Sequence, residues 1–186
     1  MERTSSTSKD VEIIKEVDVD RIRSEIESEG IIDRIKEVAK DEHVHKYNDH
    51  FSLQGYGFGE KPEYSGYSSP LLASIGLTDD KVINPVFPKC TYINDLMSSL
   101  NMFRTRVMVM RTQSCLPRHC DNHPRIHIPV WTHQGSFMVV KNRTYFLNTG
   151  QAYFVNTTNM HSAMNCNSTQ NRLHIIGSIY KDEFIK

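Results

Sequence analysis

The sequence has no apolar run approaching the 18 residues of a membrane-spanning helix, so no transmembrane segment is expected. It also lacks an excess of either charge, with 22 Lys and Arg against 22 Asp and Glu. Without an overall basic footprint there is no case for nucleic-acid binding. Cysteine is scarce, four in 186 residues, while 38% of the chain is hydrophobic. A chain of this size buries a core without disulfides, and free thiols in a reducing cytoplasm are the expectation. The opening MERTSSTSKDVEIIKE lacks the apolar segment of a secretory signal, and residues 1–10 read as a frayed tail. Helical periodicity is missing between the later strands, and GYGFG neither follows a strand nor opens a helix. That excludes a dinucleotide-binding βαβ sheet.

The neutral total hides two unequal parts. Residues 1–50 carry 14 acidic and 9 basic side chains, and the remainder carries 8 and 13. A positive C-terminal body favours a small anionic ligand.

The pattern of what is present divides the chain. Ile22, Ile26, Ile31 or Ile32, Ile35 and Val38 recur at helical steps, and Gly30 splits the segment into two short helices. This helical brace spans 19–45 and lies against a larger core. Residues 55–89, rich in Gly, Tyr, Ser and Pro, read as a long loop in which Tyr56, Tyr64 and Tyr67 line an entrance or pin the loop down. CTYINDLMSSL reads as one short helix. From there the chain turns to strands: FRTRVMVMRT, PRIHIPVWTH, SFMVVKN, RTYFLNT, QAYFVNT, MHSAMN and RLHIIGSIY. The turn residues of KNRT and NTGQ predict hairpins, and seven close-spaced strands predict a barrel or sandwich over about 100–181, within a single domain of 11–186.

The densest chemistry is CLPRHCDNHPRIHIPV, residues 115–130. In an extended segment His119 and Asp121, two positions apart, face the same way. With His161, forty residues beyond Asp121, they complete a two-histidine, one-carboxylate set that leaves metal positions open, as in non-haem Fe(II) oxygenases. If CNSTQ closes a hairpin, Arg172 stands opposite His161, and a buried guanidinium there needs an anionic partner. The rival metal set is zinc on Cys115, His119, Cys120 and His123, whose spacing matches no standard knuckle. His174 shares the face of Arg172 and reads as a core histidine, with a reach into the cavity as the alternative; Cys120 reads as packed, and His43, His45 and His50 as surface. A non-oxidative cupin-like metal-binding protein, either an isomerase or a binding module, is the alternative function.

RHCD, RIHIPV, MHSAMN and RLHII, in that order, resemble the aspartyl/asparaginyl β-hydroxylase-like family of 2-oxoglutarate-dependent Fe(II) oxygenases, which includes free-proline hydroxylases. The resemblance implies a mainly β fold, a double-stranded β-helix (jelly roll, cupin-like), here braced by the N-terminal helices. It implies His119, Asp121 and His161 as the iron site, although the peptidyl aspartyl hydroxylases have glycine where Asp121 stands. It implies Arg172 on the far carboxylate of 2-oxoglutarate and Arg125 and His127 near that cosubstrate. Of the hydroxyl that often assists the far carboxylate, Ser114 is the candidate. The implied reaction uses Fe(II), 2-oxoglutarate and O2 to hydroxylate a C–H bond of an amino acid, free or peptidyl, releasing succinate and CO2. For the substrate's carboxylate the sequence offers Arg104, Arg106 and Arg118, and for its ammonium Glu60 or Glu63.

Overall fold

Strand alternation assigns each apolar residue to one of two layers. The computed structural model describes residues 9–38, 48–56, 73–74 and 76–180. Six strands form one antiparallel sheet in the order β1 (Val11–Glu16), β10 (Gln151–Val155), β7 (Arg125–Trp131), β12 (Arg172–Ser178), β5 (Phe103–Met110) and β2 (Asn48–Ser52). Facing it are β6 (Ser114–Cys115), β11 (His161–Asn165), β8 (Ser136–Val140) and β9 (Arg143–Tyr145). A short pair, β3 (Gln54–Gly55) with β4 (Asn84–Pro85), stands apart. Two facing sheets fed alternately by successive strands make a double-stranded β-helix.

The outer face of the large sheet carries Val107, Ile126, Ile128, Leu173 and Ile175, which cluster with Ile22, Ile26, Ile93 and Leu96. Those partners come from α1 (Val19–Ser28) and α3 (Thr91–Ser99), with Ile31 and Ile35 added by α2 (Ile31–Val38). Burying each such isoleucine contributes roughly 1.5–3 kcal/mol, so the helices are the lid of a real core. Polar ties set their position. Asp18 caps α1 by accepting from the Arg21 amide at 3.1 Å. Glu25 of α1 accepts from the Tyr92 and Ile93 amides at 2.8 and 2.9 Å, which satisfies the first turn of α3. Arg23 donates to the Val130 carbonyl of β7 through Nε and Nη2. Gly30, at φ 63°, separates α1 from α2 where the pattern placed a break. Among the described residues no helix is long and apolar enough to cross a membrane.

The inner space between the sheets holds Met110, Met138, Val140, Tyr153, Val155 and Ala163. Residues that pair directly across an antiparallel ladder share a face. Arg172 pairs with Met110, and His127 with Tyr153, so both point inward. His161 shares its face of β11 with Ala163 and also points inward.

Three expectations fail. MHSAMN and RLHII do not form a hairpin: β11 bonds to β8 and β6, whereas β12 bonds to β5 and β7. His161 and Arg172 therefore belong to opposing sheets rather than adjoining strands. NTGQ likewise joins strands of different sheets, while KNRT does turn a hairpin, Val140 opposite Arg143 with Lys141 at φ 55°. A jelly roll sends successive strands to alternate sheets, so hydrogen-bonded partners are distant in sequence and local turn chemistry misleads. The third failure is β1, an edge strand beside β10 with Val11 opposite Val155, in a segment given no structure from sequence. Its alternation is blurred by Glu12, Lys15 and Glu16, as suits an exposed edge. Residues 39–45 of the brace with His43 and His45, and residues 57–72 and 75 of the 55–89 loop with Glu60, Glu63, Tyr64 and Tyr67, lie outside the described residues.

β12 approaches β5 and its flank closely at Gly177. A Cβ there would stand 2.5 Å from Thr105 Oγ1 and 3.0 Å from Met102 Cβ. Gly177→Val is expected to lower unfolding free energy by about 1–3 kcal/mol through overpacking, read from a urea midpoint. An unchanged midpoint would show that β5 and β12 are not packed this tightly.

Candidate metal and carboxylate site

The segment from 116 to 123 is laced by its backbone onto the chain around β11. His119 and His161 exchange both amide hydrogen bonds, at 3.0 and 2.9 Å, and the Asp121 amide donates to the Thr157 carbonyl at 2.9 Å. Ser162 donates to the Leu116 carbonyl and Thr157 to that of His123. Beneath, Asp10 fixes the loop before His161: its carbonyl accepts from the Asn156 amide, and its carboxylate accepts from Asn159 and pairs with Lys141 at 2.7 Å. Asp10, just ahead of the unforeseen N-terminal strand, thus ties down the chain that carries His161.

On this frame one ligand atom each from His119, Asp121 and His161 lies within 4.8 Å of the others. His119 Nε2 is 3.7 Å from Asp121 Oδ1, and His161 Nε2 is 3.4 Å from Oδ2. Each histidine places Nδ1 on a backbone carbonyl, His119 on Pro117 at 2.8 Å and His161 on Asn159 at 3.0 Å. Nδ1–H then donates and Nε2 keeps its lone pair for a metal. Asp121 Oδ1 accepts from Arg125 Nη2 at 2.6 Å, while Oδ2 is buried with no hydrogen-bond partner. Burial opposes the charge on Asp121, but the neighbouring His161 ring and the Arg125 guanidinium outweigh it and hold the carboxyl at about 2. Two imidazole nitrogens and one carboxylate oxygen with no hydrogen-bond partner converge here, a donor set that fits a divalent metal.

Arg172 is 2% exposed, yet its Nε and Nη1 have no partner. Burial lowers its pKa to about 10, so it stays charged at neutral pH. An unpaired buried guanidinium is costly unless an anion joins it. His127 and His174 are both buried with neither ring nitrogen bonded, at 5.9 Å between ring centroids. Burial first, then the Arg172 charge, pushes both well below the ordinary histidine range, so both are neutral. Arg125 stands at the Asp121 end, not beside Arg172.

Other candidates are not assembled. Cys115 and Cys120 are both exposed, so Cys120 is not packed as expected, and the His123 ring lies against Phe103 and Tyr180. Among the described residues these do not gather into a zinc set. Ser114 donates to the Arg111 carbonyl at 2.6 Å on β6, in the sheet opposite Arg172. His50 sits in the edge strand β2, opposite Met108. Among the arginines considered for a substrate carboxylate, Arg104 pairs with Asp79 at 2.8 Å, Arg118 donates to the Lys141 carbonyl, and Arg106 has a buried Nε with no hydrogen-bond partner. The sequence puts His174 on the face of Arg172, within reach of the cavity, but favours a core histidine. Its signal was the R-x-H spacing of Arg172 and His174, which repeats that of Arg125 and His127.

A family model described as Aspartyl/Asparaginyl beta-hydroxylase matches residues 16–182. No curated protein matches the chain. Among solved structures, an oxidoreductase of the 2OG-Fe(II) oxygenase family from Burkholderia pseudomallei is 14% identical with a TM-score of 0.43, covering 51% of this chain and 58% of that one. The chain thus spans less than two thirds of that enzyme's length. A prolyl-4-hydroxylase from Pseudomonas putida is 10% identical, covers 91% of both chains and has a TM-score of 0.42. The protein titled IDO from Bacillus thuringiensis is 8% identical, covering 93% of this chain and 91% of its own, with a TM-score of 0.45. Such overlaps are loose, and it is the family model, matched along most of the sequence, that decides membership: the chain belongs to the aspartyl/asparaginyl beta-hydroxylase family.

Proposed function

We propose that the protein is a 2-oxoglutarate-dependent Fe(II) dioxygenase that hydroxylates a C–H bond of an amino acid, free or within a peptide. The observation that carries this reading is the pairing of two features inside one barrel. Three metal-competent donors converge at His119, Asp121 and His161, and a buried, unpartnered Arg172 faces the same interior. Fe(II) with 2-oxoglutarate would supply the oxygen activation, splitting the cosubstrate to succinate and CO2 while one oxygen atom enters the substrate.

The chain's own residues position and compensate. His119 and His161 present Nε2 because their Nδ1 atoms are tied to carbonyls. Arg125 holds Asp121 by one oxygen and leaves the other turned to the metal position. Arg172 takes the far carboxylate of the cosubstrate, which replaces water around a desolvated charge. The apolar inner residues Met110, Met138 and Val140 keep bulk water from the reacting centre. A non-oxidative cupin-like protein would leave Arg172 idle or give it to a different ligand.

An amino-acid substrate needs a cation for its carboxylate. Arg106 suits that role: burial first, then repulsion from Arg125 and Arg104, lowers its pKa to about 9, so an added anion would be bound favourably. The reading carries with it a cytoplasmic protein that does not act on nucleic acids. A screen of the twenty amino acids and a small peptide set, following succinate and product mass together, tests it. A gain of one oxygen on an amino acid or peptide is the expected result. Turnover seen only with a lipid, a nucleobase or another metabolite would overturn it.

Asp121 gives a graded test. Asp121→Ala removes the only anionic ligand and is expected to weaken Fe(II) binding at least about tenfold, a loss seen even for outer partners of a ligand. Residual turnover is consistent with the family's glycine-bearing members. Unchanged metal affinity in an equilibrium titration would remove Asp121 from the site.

A further inference from the structure

The inner end of the barrel holds more hydrogen-bonding capacity than Arg172 alone explains. His174 follows Arg172 by two positions on β12 and so shares its inward face. Across the ladders, Arg172 stands opposite Met110, and His174 opposite Met108 and Pro129, none of which has a side-chain hydrogen-bond donor to offer there. His127 lies beside His174 with the rings nearly perpendicular, at 87°. Together Arg172, His127 and His174 present six buried nitrogens with no hydrogen-bond partner. Buried polar atoms are almost always bonded, and several orphans converging on one space mark a ligand position rather than a packed core. Because both imidazoles are neutral, each keeps one N–H to donate.

We propose that His174 is a second cosubstrate-binding residue, donating an imidazole N–H to the same distal carboxylate that Arg172 clamps and so selecting a 2-oxo dicarboxylate over a 2-oxo monocarboxylate. The assignment rests on the 2-oxoglutarate reading above and adds a residue to it. A carboxylate offers about four lone-pair directions. A guanidinium fork occupies two of them, and in a site closed to water the remainder need donors from the protein. His174 is on the same strand face as Arg172 and has a donor to spare.

The test is calorimetric binding to the full-length Ni(II)-loaded protein, without turnover, using 2-oxoglutarate and 2-oxopentanoate. The second has the same length but ends in a methyl group. Wild type is expected to prefer 2-oxoglutarate. His174→Leu should weaken 2-oxoglutarate about tenfold, the loss of one charge-assisted hydrogen bond, and leave 2-oxopentanoate unchanged. His174→Gln, which keeps an N–H, should recover most of the affinity. If His174→Leu binds 2-oxoglutarate as wild type does, the His174 assignment is overturned and the oxygenase reading stands. A wild type that does not distinguish the two ligands overturns the oxygenase reading itself. Should the leucine variant fail to fold, the wild-type His174 imidazole nitrogen resonances, assigned by their absence in His174→Gln, provide the measurement. They are expected to move with 2-oxoglutarate and not with 2-oxopentanoate. Resonances unmoved by 2-oxoglutarate overturn the proposal.

Discussion

Replacing His161 by alanine is expected to abolish the proposed 2-oxoglutarate-dependent turnover and to leave the fold intact. The fold survives because the frame around His161 is made by its backbone. The paired amide bonds with His119 and the β11–β8 ladder do not involve the imidazole. The side chain contributes Nε2, 3.4 Å from the orphaned Asp121 oxygen, and a bond from Nδ1 to the Asn159 carbonyl. Its loss takes one neutral donor from a set of three and leaves His119 and Asp121 to chelate alone, too weakly for ordered chemistry. Circular dichroism close to wild type, with Fe(II) affinity and activity both gone, is the expected outcome on one preparation. Full activity would mean that another histidine binds the metal.

The second large effect is at Arg172. Arg172→Met keeps an unbranched stem and removes the fork. The distal carboxylate then loses charge-assisted hydrogen bonds worth about 1.5–3 kcal/mol, and each 1.4 kcal/mol is about tenfold in affinity. The apparent KM for 2-oxoglutarate is expected to rise tenfold or more. Stability separates this role from a structural one. Among the described residues Arg172 makes no ion pair, and its Nε and Nη1 have no hydrogen-bond partner, so its removal relieves a desolvated charge, and the ligand-free variant is expected to melt at or above the wild-type temperature. A large loss of stability with unchanged cosubstrate saturation would make Arg172 a structural cation.

The gathering of His119, Asp121 and His161 was legible in part because it is local in the right sense. His119 and Asp121 obey a strand's two-residue period, and their side chains do share one side. The helices were legible because Ile22, Ile26, Ile31 and Ile35 mark one buried stripe, interrupted at Gly30. The route to Arg172 was not. Turn chemistry around Cys166 points to a hairpin, whereas Asn165 instead donates to the Met110 and Gln170 carbonyls, tying β11 to the opposite sheet as the chain crosses over. Arg172 thus faces the cavity from across the barrel, a placement that depends on sheet topology and not on spacing. His174 was half legible, since its two-residue step from Arg172 puts it on the face that reaches the cavity, but the core reading outweighed that. An inward histidine in an apolar strand reads as core until its unbonded nitrogens and its neighbour Arg172 are seen together.

Anaerobic addition of Fe(II) and then 2-oxoglutarate to the wild-type protein is the most direct measurement of the central claim. It needs no knowledge of the substrate, and it requires the His119, Asp121, His161 set to leave adjacent metal positions open to a chelating 2-oxo acid. A weak visible charge-transfer band that appears only when both are present, and saturates with 2-oxoglutarate, is the predicted result. Absence of any band, together with 2-oxoglutarate binding that does not depend on the metal, would contradict the assignment.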